Sequence, residues 1–266
     1  MGQKTGIEWT ETTWNPTTGC DRVSSGCDHC YALSLAKRLK AMGSRRYQED
    51  GSPRTSGPGF GLTLHEDKLD EPLRWRSPRV VFVNSMSDLF HAKVPASFIR
   101  RAFNVMAATP QHTYQILTKR PRRMARILGD WNQFARRPLV NVWLGTSVED
   151  QRWADQRIPL LLDTPAAVRF LSCEPLLGPV DLSEWLGDGI GWVIAGGESG
   201  PGHRPISVDW VRSLRNQCNQ DAVPFFFKQW GGRTPKVGGR DLDGRSWDEM
   251  PVAGARRAGP KKGLGA

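Results

Sequence analysis

Short apolar runs, each followed by polar residues and then by a longer amphipathic stretch, recur six times after residue 78. Each run holds four or five residues rich in β-branched or aromatic side chains, which is typical of a buried strand. The predicted strands cover residues 79–83, 113–117, 141–144, 168–171, 192–195 and 224–227. The predicted helices between them cover 95–108, 121–128, 151–162 and 208–220. Strand and helix alternating at this spacing predict parallel βαβ units.

Two further candidate strands, at residues 6–10 and 61–64, bring the expected number to eight. Eight units in 266 residues predict an α/β fold, built as a (β/α)8 or partial TIM-like barrel with an N-terminal metal-binding cysteine loop. An open doubly wound sheet fits the same pattern less completely. We expect one barrel domain over residues 1–252, with a mobile, strand-free loop at about 43–59. Residues 253–266 are expected to form a basic, disordered tail.

The sequence shows no sign of a membrane-directing segment. No run approaches 18 consecutive apolar residues, and the first eleven residues contain no apolar core of a secretory signal. Five cysteines, an odd number, argue against a framework of disulfides. The sequence therefore predicts a cytoplasmic protein without a membrane partner, and its cysteines point to metal binding or redox chemistry.

The balance of charge favours an anionic partner. Lys and Arg number 37 against 27 Asp and Glu, so the formal net charge is +10. Four of these charges lie in the last eleven residues, at Arg256, Arg257, Lys261 and Lys262. A second basic run comprises Lys119, Arg120, Arg122, Arg123, Arg126, Arg136 and Arg137. Such a run is either a solvated helix face or a surface that contacts phosphates, so DNA or RNA is a candidate partner.

Eleven tryptophans would also suit a nucleic acid, because bases stack on aromatic rings. Trp192 lies within an apolar strand and is expected in the core. Trp9, Trp14 and Trp230 border polar loop segments, so they are the better stacking candidates.

Three of the five cysteines fall within eleven residues, at Cys20, Cys27 and Cys30. Their Cys-x6-Cys-x2-Cys spacing can supply three ligands to a [4Fe-4S] cluster and leave the fourth iron open to a small molecule. A closed electron-transfer cluster would need a fourth cysteine, for which Cys173 or Cys218 could serve. The competing interpretation is a zinc site in which a histidine completes the ligand set. The candidate histidines are His29, His65 and His203.

Polar and ionisable residues collect where the predicted strands end. In a barrel the carboxyl ends of the strands form the mouth, where binding and catalytic groups lie. The residues expected there are His65, Asn84, Ser85, Asp88, Lys119, Arg120, Ser147, Glu149, Cys173, Glu174, Glu198, Lys228 and Gln229. The alternative for any one of them is a loop residue that caps the next helix. As candidate cofactor-binding residues we select Asn84, Ser85, Lys119, Glu149, Glu174, Glu198 and Lys228.

Several motifs together resemble a known family. They are Trp14-Asn-Pro-Thr-Thr-Gly-Cys20, Gly26-Cys-Asp-His-Cys-Tyr-Ala32, Leu117-Thr-Lys-Arg-Pro121, Ser172-Cys-Glu-Pro-Leu176, Gly196-Gly-Glu-Ser-Gly200 and Phe227-Lys-Gln-Trp-Gly231. The chain resembles the phage-type three-cysteine-motif family, which is related to radical S-adenosylmethionine enzymes and distantly to the spore photoproduct lyase group. The resemblance covers residues 5 to about 252, including the late segment 242–251, and its motifs are specific.

The resemblance implies a barrel with a [4Fe-4S] cluster on Cys20, Cys27 and Cys30 and with S-adenosylmethionine at the open iron. It implies one-electron cleavage of that cofactor to a 5′-deoxyadenosyl radical, and it adds Tyr31 to the candidate cofactor-binding residues. Two features depart from the usual radical enzymes. Their first cysteine gap is three residues rather than six, and their Gly-Gly-Glu segment comes near the second strand rather than after the seventh. The amino-group-binding role of that glutamate is therefore not carried over to Glu198.

The substrate expected from this resemblance is a nucleic acid or a nucleotide, because the distant lyase relatives act on DNA. Such an enzyme would need an electron donor, and a genomically neighbouring partner protein could act with it. The first alternative is a metal-stabilised protein that binds nucleic acid or a partner without turnover. The second is an iron–sulfur redox sensor or nuclease. Polar residues at seven or eight strand ends favour the enzyme.

Overall fold

The structure, a computed structural model, describes residues 3–131, 134, 136–186 and 189–251. The basic tail predicted at 253–266 lies outside these residues. The strands are β1 (Gln3–Lys4), β2 (Thr12–Trp14), β3 (Thr17–Thr18), β4 (Thr63–Leu64), β5 (Val80–Val83), β6 (Thr113–Thr118), β7 (Val142–Ser147), β8 (Val168–Cys173), β9 (Ile190–Gly196) and β10 (Phe225–Gln229).

The α-helices are α1 (Tyr31–Ala41), α2 (Glu66–Leu69), α3 (Ala96–Ala108), α4 (Pro121–Gly129), α5 (Gln151–Leu162), α6 (Ser183–Leu186) and α7 (Val208–Gln220). Short 3₁₀ turns cover Ser25–Cys27, Arg45–Tyr47 and Glu71–Arg74. Across the described ranges, no helix combines the length and the apolar character needed to cross a membrane.

One sheet carries the fold, with its strands in the order β1-β2-β5-β6-β7-β8-β9-β10. Strands β2 and β5 to β10 run parallel, and β1 pairs antiparallel with β2 at one edge. Among the described residues the two edges do not pair, so the sheet is a half-barrel of seven parallel strands. The partial barrel predicted from the sequence is confirmed, whereas closure into a complete (β/α)8 barrel is wrong. Closure fails at β10 because its free edge is already covered: the Phe227 amide donates to the Trp247 carbonyl (2.9 Å).

The six strands and four helices predicted after residue 78 are confirmed, and 151–162 and 208–220 match α5 and α7 at both ends. The strand predicted at 6–10 is wrong. There the Thr10 amide donates to the Ile7 carbonyl (3.4 Å) in a turn that buries Trp9, and the strand begins two residues later as β2. The strand predicted at 61–64 shrinks to β4, which pairs with β3 in a separate two-stranded sheet.

Side chains of the parallel strands alternate between two apolar faces, as a period of two requires. On the outer face, strand residues pack against helices α3, α4, α5 and α7 in the main core. On the inner face a second, aromatic cluster comprises Trp9, Phe82, Trp143, Phe170, Trp192, Ile194 and Phe226. Its rings meet edge to face, with centroids 4.7 Å apart for Trp9 and Phe82 and 6.0 Å apart for Trp143 and Trp192. Such pairs add about 0.5–1.5 kcal/mol each to the area they bury.

Gly145 in β7 lies against the ring of Phe170 on this inner face. A Cβ at position 145 would lie 2.5 Å from that ring, far inside normal carbon contact. We expect Gly145→Ala to lower the free energy of unfolding by about 1–3 kcal/mol, because a packed strand or ring has to move. Gly129→Ala is the matched control, since nothing lies within 4 Å of the added Cβ. Urea denaturation measures both variants, and equal effects would contradict tight packing of the inner face.

Candidate functional site

A cavity of about 540 Å³ opens at the carboxyl ends of the parallel strands, above the aromatic cluster. Cys20, Cys27 and Cys30 all border it, and Trp9 and Phe82 contribute to its floor. Most of the polar residues that the sequence places at the mouth do line it. They are Asn84, Ser85, Asp88, Lys119, Arg120, Ser147, Glu174, Glu198, Lys228 and Gln229.

The cysteine loop, residues 19–30, connects β3 to α1. It begins at Gly19, whose φ of 86° and close approach to the Gly61 carbonyl leave no room for a Cβ. It then makes the 3₁₀ turn that ends at Cys27, and Cys30 caps the amino terminus of α1. All five cysteines of the chain are free thiols. The three loop cysteines are half-buried, so their sulfurs remain available to the cavity.

Opposing effects act on the Cys30 thiol. Burial raises its pKa, whereas hydrogen bonds from the backbone amides of Ala32 and Leu33 at the start of α1 act in the opposite direction. A helix amino terminus stabilises a thiolate, which is the form that binds metal.

The donor set fits an iron–sulfur cluster better than a single zinc ion. Three thiols of one loop border one cavity, and in a cluster each thiolate binds a different iron. Within the part of the chain that the structure describes, no three His, Cys, Asp or Glu side chains are grouped to share one metal ion. Of the three candidate histidines, His29 borders the cavity, His203 is exposed, and His65 is hydrogen-bonded to Thr18 Oγ1 (2.8 Å).

Arg120 and Asp88 flank the first cysteine. Arg120 Nη1 donates to Cys20 Sγ (3.4 Å) and to Asp88 Oδ2 (2.9 Å). Burial raises the pKa of Cys20 to about 12, and the carboxylate of Asp88 adds to the rise, whereas Arg120 opposes it. A cation bound at this sulfur would displace the proton, because a coordinating thiol is deprotonated.

Glu149 lies beneath the cysteine loop rather than at the cavity. Its carboxylate is fully buried and accepts hydrogen bonds from Ser24 Oγ (2.5 Å) and Arg157 Nη1 (2.8 Å), and Lys119 Nζ lies 3.2 Å away. Burial alone would raise the pKa of Glu149, but the charges of Lys119 and Arg157 outweigh it and lower the pKa. Gly26 makes room for this carboxylate, since a Cβ there would meet it at 2.4 Å. Glu149 therefore supports the loop, and its predicted contact with a cofactor is not part of this geometry.

Glu198 is already paired within the cavity wall. Arg204 clamps its carboxylate through Nε (3.0 Å) and Nη2 (2.6 Å), and the Arg204 amide adds a third bond (2.9 Å). Burial acts to raise the pKa of Glu198, and the hydrogen bonds from Arg204 outweigh it and lower the pKa. The same guanidinium donates to the Ser25 carbonyl (2.9 Å). The pair thus ties the strand β9 end to the cysteine loop.

A second ion pair crosses the cavity wall between adjacent strands. Lys228 Nζ, at the end of β10, lies 3.2 Å from Glu174 Oε1, which follows β8. Ser172 Oγ donates to the other carboxylate oxygen (3.3 Å). These groups give the cavity one donor and one acceptor of opposite charge next to an apolar floor.

The turn after β5 presents an amide and a hydroxyl. Asn84 has φ = 62° and is buried, and its Oδ1 accepts the Thr17 amide (3.4 Å). Its Nδ2 has no hydrogen-bond partner among the described residues. Ser85 Oγ bonds to Asn15 (3.2 Å), and its carbonyl accepts the hydroxyl of Tyr31 (2.5 Å). Tyr31 is therefore tethered at the cavity rim.

The segment predicted as a mobile loop, 43–59, contains no strand, as expected. It forms part of the cavity wall through Thr55. Thr55 Oγ1 donates to Asp21 Oδ1 (2.6 Å), and His91 Nε2 lies 2.9 Å from Asp21 Oδ2. The mobility of this segment stays a prediction.

Some predicted site residues lie elsewhere. Cys173 and Cys218 are buried in the core that faces the helices, so neither is a fourth ligand at the cavity. Trp14 is fully buried and donates to the Lys68 carbonyl (2.8 Å), so it is a core residue rather than a stacking platform. Trp230 packs edge to face on Phe227 outside the cavity lining.

Sequence reasoning missed residues that support the cysteine loop from a distance. Ser24 and Arg204 carry no motif that marks them, because their partners are remote in sequence. Arg157 did carry a signal: it is a charged residue at a position of α5 that shares its buried face with Ile158 and Leu161. A cation on an apolar helix face implies a buried acid nearby.

The fold is similar to that of spore photoproduct lyase. A mutant of that lyase matches with a TM-score of 0.51 at 11% sequence identity, covering 86% of this chain and 78% of the lyase chain. Two more lyase structures contain dinucleoside spore photoproduct, one of them with bound AdoMet. They match with TM-scores of 0.46 and 0.45 at 12% and 13% identity, over 83% of this chain. The chain spans 64% of the length of these two. No curated protein matches the sequence.

One protein family covers nearly the whole chain, from residue 4 to residue 251. The narrower assignment to a phage-type three-cysteine family, made from the motifs, stays a prediction. The extent of the match shows that the chain belongs to the family described as "Protein of unknown function (DUF5131)".

Proposed function

We propose that this protein is a radical S-adenosylmethionine enzyme that acts on a nucleic acid or a nucleotide. Cys20, Cys27 and Cys30 hold a [4Fe-4S] cluster, and S-adenosylmethionine binds in the adjoining cavity. The observation that carries the proposal is that three thiols of one loop border a single cavity at the mouth of the half-barrel. The fold shared with spore photoproduct lyase supports it. A cytoplasmic location and a separate electron-donor protein belong to the same proposal.

The cavity suits a cofactor with charged and flat apolar parts. The rings of Trp9 and Phe82 offer an apolar surface to an adenine, while Glu174, Lys228 and Ser85 offer hydrogen-bonding groups to an amino acid and a ribose. Pockets for small molecules commonly combine such an apolar lining with a few fixed polar groups. Glu198 contributes through its clamp on Arg204 rather than as a free carboxylate.

One electron from the donor protein, passed through the cluster, cleaves the C5′–S bond into methionine and a 5′-deoxyadenosyl radical, which takes a hydrogen atom from the substrate to become 5′-deoxyadenosine. The protein's own residues position and shield the reacting groups. The aromatic cluster fills the half-barrel below the cavity and excludes water from that side. Glu149 and Arg204 hold the cysteine loop from two directions, so the thiolates keep their spacing.

The basic face of α4 supports a nucleic acid as substrate. The helix begins directly after Arg120 in the cavity wall, and Arg122 and Arg126 are exposed on it one turn apart. Arg136 and Arg137, further along the chain, are exposed as well. Exposed arginines neutralise backbone phosphates, and an enzyme that reacts with one nucleotide has to take it out of the stack and into a pocket. We infer that α4 holds the backbone while a nucleotide enters the cavity.

Replacing Arg122 and Arg126 together with alanine should weaken binding of a single-stranded oligonucleotide and reduce its salt dependence. Each lost phosphate contact lowers the slope of log K against log salt by about 1. Fluorescence anisotropy at several salt concentrations measures both quantities. Arg76→Ala is the control, because Arg76 is exposed at the opposite end of the sheet, before β5. Unchanged affinity in the double variant would remove α4 from the substrate surface.

The reaction itself is tested with anaerobically reconstituted protein, dithionite and S-adenosylmethionine. We expect 5′-deoxyadenosine and methionine in equal amounts by liquid chromatography, and neither product from a Cys27→Ser variant. A protein that holds its cluster and binds nucleic acid but forms neither product would instead be a redox sensor or a binding protein.

A further inference from the structure

Arg120 makes a charged hydrogen bond to one of the three loop sulfurs. Its Nη1 lies 3.4 Å from Cys20 Sγ, and its Nη2 donates to the Asp21 carbonyl (2.9 Å). The guanidinium therefore grips both the first cysteine and the backbone that follows it. Cys27 Sγ, by contrast, has the neutral hydroxyl of Ser24 at 3.9 Å. The sulfurs thus sit in unequal electrostatic surroundings.

Asp88 holds this guanidinium in place. Its carboxylate is buried and accepts Arg120 Nη1 (2.9 Å), Thr118 Oγ1 (2.8 Å) and the amides of Lys119 (3.2 Å) and Phe90 (2.9 Å). A carboxylate fixed by this many donors orients its arginine partner rigidly. The hydrogen bond to Cys20 is therefore built into the turn between β6 and α4 and does not depend on a flexible side chain.

We propose that Arg120 is a positioning residue that makes the cluster easier to reduce, by donating a hydrogen bond to the Cys20 thiolate. This rests on the proposed function, because it assumes the cluster. Reduction adds negative charge to the cluster, and a hydrogen bond and a positive charge at a ligating sulfur stabilise that charge. Arg120 acts through Cys20 and touches neither cofactor nor substrate.

The test is an EPR-monitored redox titration of reconstituted protein. Arg120→Met should make one-electron reduction at least about tenfold less favourable, a shift of about 59 mV to more negative potential. Arg120→Lys, which keeps the charge but not the fork, should shift less. Arg123→Met is the matched control, because Arg123 lies on the same helix and donates to the Val94 carbonyl (2.6 Å).

Removing Arg120 leaves the buried Asp88 without its cation, so a second comparison guards against misfolding. Arg120→Met in an Asp88→Asn background should have a more negative potential than Asp88→Asn alone. Equal potentials in that pair, or an Arg120→Met protein with full iron content and the wild-type potential, would overturn the inference. If wild-type protein itself assembles no iron and sulfide, the proposed function fails and this inference fails with it.

Discussion

Replacing Cys27 with serine should reduce iron from about four atoms per chain to near none. Cys27 is the middle ligand of the loop, and the loop offers no fourth cysteine to replace it. The half-barrel should still fold, because Cys27 belongs to neither apolar core cluster. Iron and sulfide analysis after anaerobic reconstitution measures the loss, and circular dichroism reports the fold.

Cys218→Ala is the matched control for this prediction. It removes a cysteine from the helix-facing core, so it should keep all its iron. A Cys27→Ser protein with its full iron content would contradict the ligand assignment. Oligonucleotide affinity of the same variant separates two roles of the loop. If binding survives loss of the metal, the metal is no part of the binding surface; if binding vanishes together with the fold, the metal is a structural staple.

Glu149→Gln should lower the free energy of unfolding by about 3–5 kcal/mol, because it leaves a buried cation without its counter-charge. Arg157 is the cation, with only 3% of its side chain exposed. The glutamine also weakens the bond that holds Ser24, so the cysteine loop loosens. Urea denaturation of metal-free protein measures the effect without a contribution from bound metal.

Two companion variants sharpen this test. Glu66→Gln removes a carboxylate that pairs with Arg101 in an exposed ion pair, and it should leave stability nearly unchanged. Arg157→Met combined with Glu149→Gln removes both charges and should recover part of the loss. Equal stability of Glu149→Gln and Glu66→Gln would show that the buried charges are not coupled.

The stabilising effect of Glu149 should depend on pH in a defined direction. Its pKa is lowered in the folded protein, so it contributes stability above the pKa it has in the unfolded chain, about 4.3. That contribution is lost as the pH falls through the lower, folded value. The difference in unfolding free energy between wild type and Glu149→Gln should therefore be constant near pH 7 and shrink below about pH 4.3. A difference that grows in acid would reverse the sign and contradict the assignment.

The strands after residue 78 could be predicted because each is buried on both sides and therefore apolar throughout, as in β9. The same reasoning failed at residues 6–10, where the apolar residues serve a turn that puts Trp9 under the sheet. Closure of the barrel could not be read from the sequence either. It depends on which segment reaches the free edge of β10, and residues 247–249 do so.

The candidate site follows the same division. The rule that strand ends form the mouth correctly brought Asn84, Lys119 and Lys228 to one cavity. It misplaced Glu149, which follows β7 but turns beneath the cysteine loop because Gly26 leaves space there. Arg204 could not be found at all, since its partner Glu198 is shared with a loop nearly 180 residues away.

The most direct test of the central claim is EPR of anaerobically purified, reduced protein before and after addition of S-adenosylmethionine, together with iron and sulfide quantitation. The account predicts about four irons per chain and a signal that changes when the cofactor is added, because one iron has no protein ligand and binds it. Zinc without sulfide, or a cluster whose signal is indifferent to the cofactor, would contradict the proposed function.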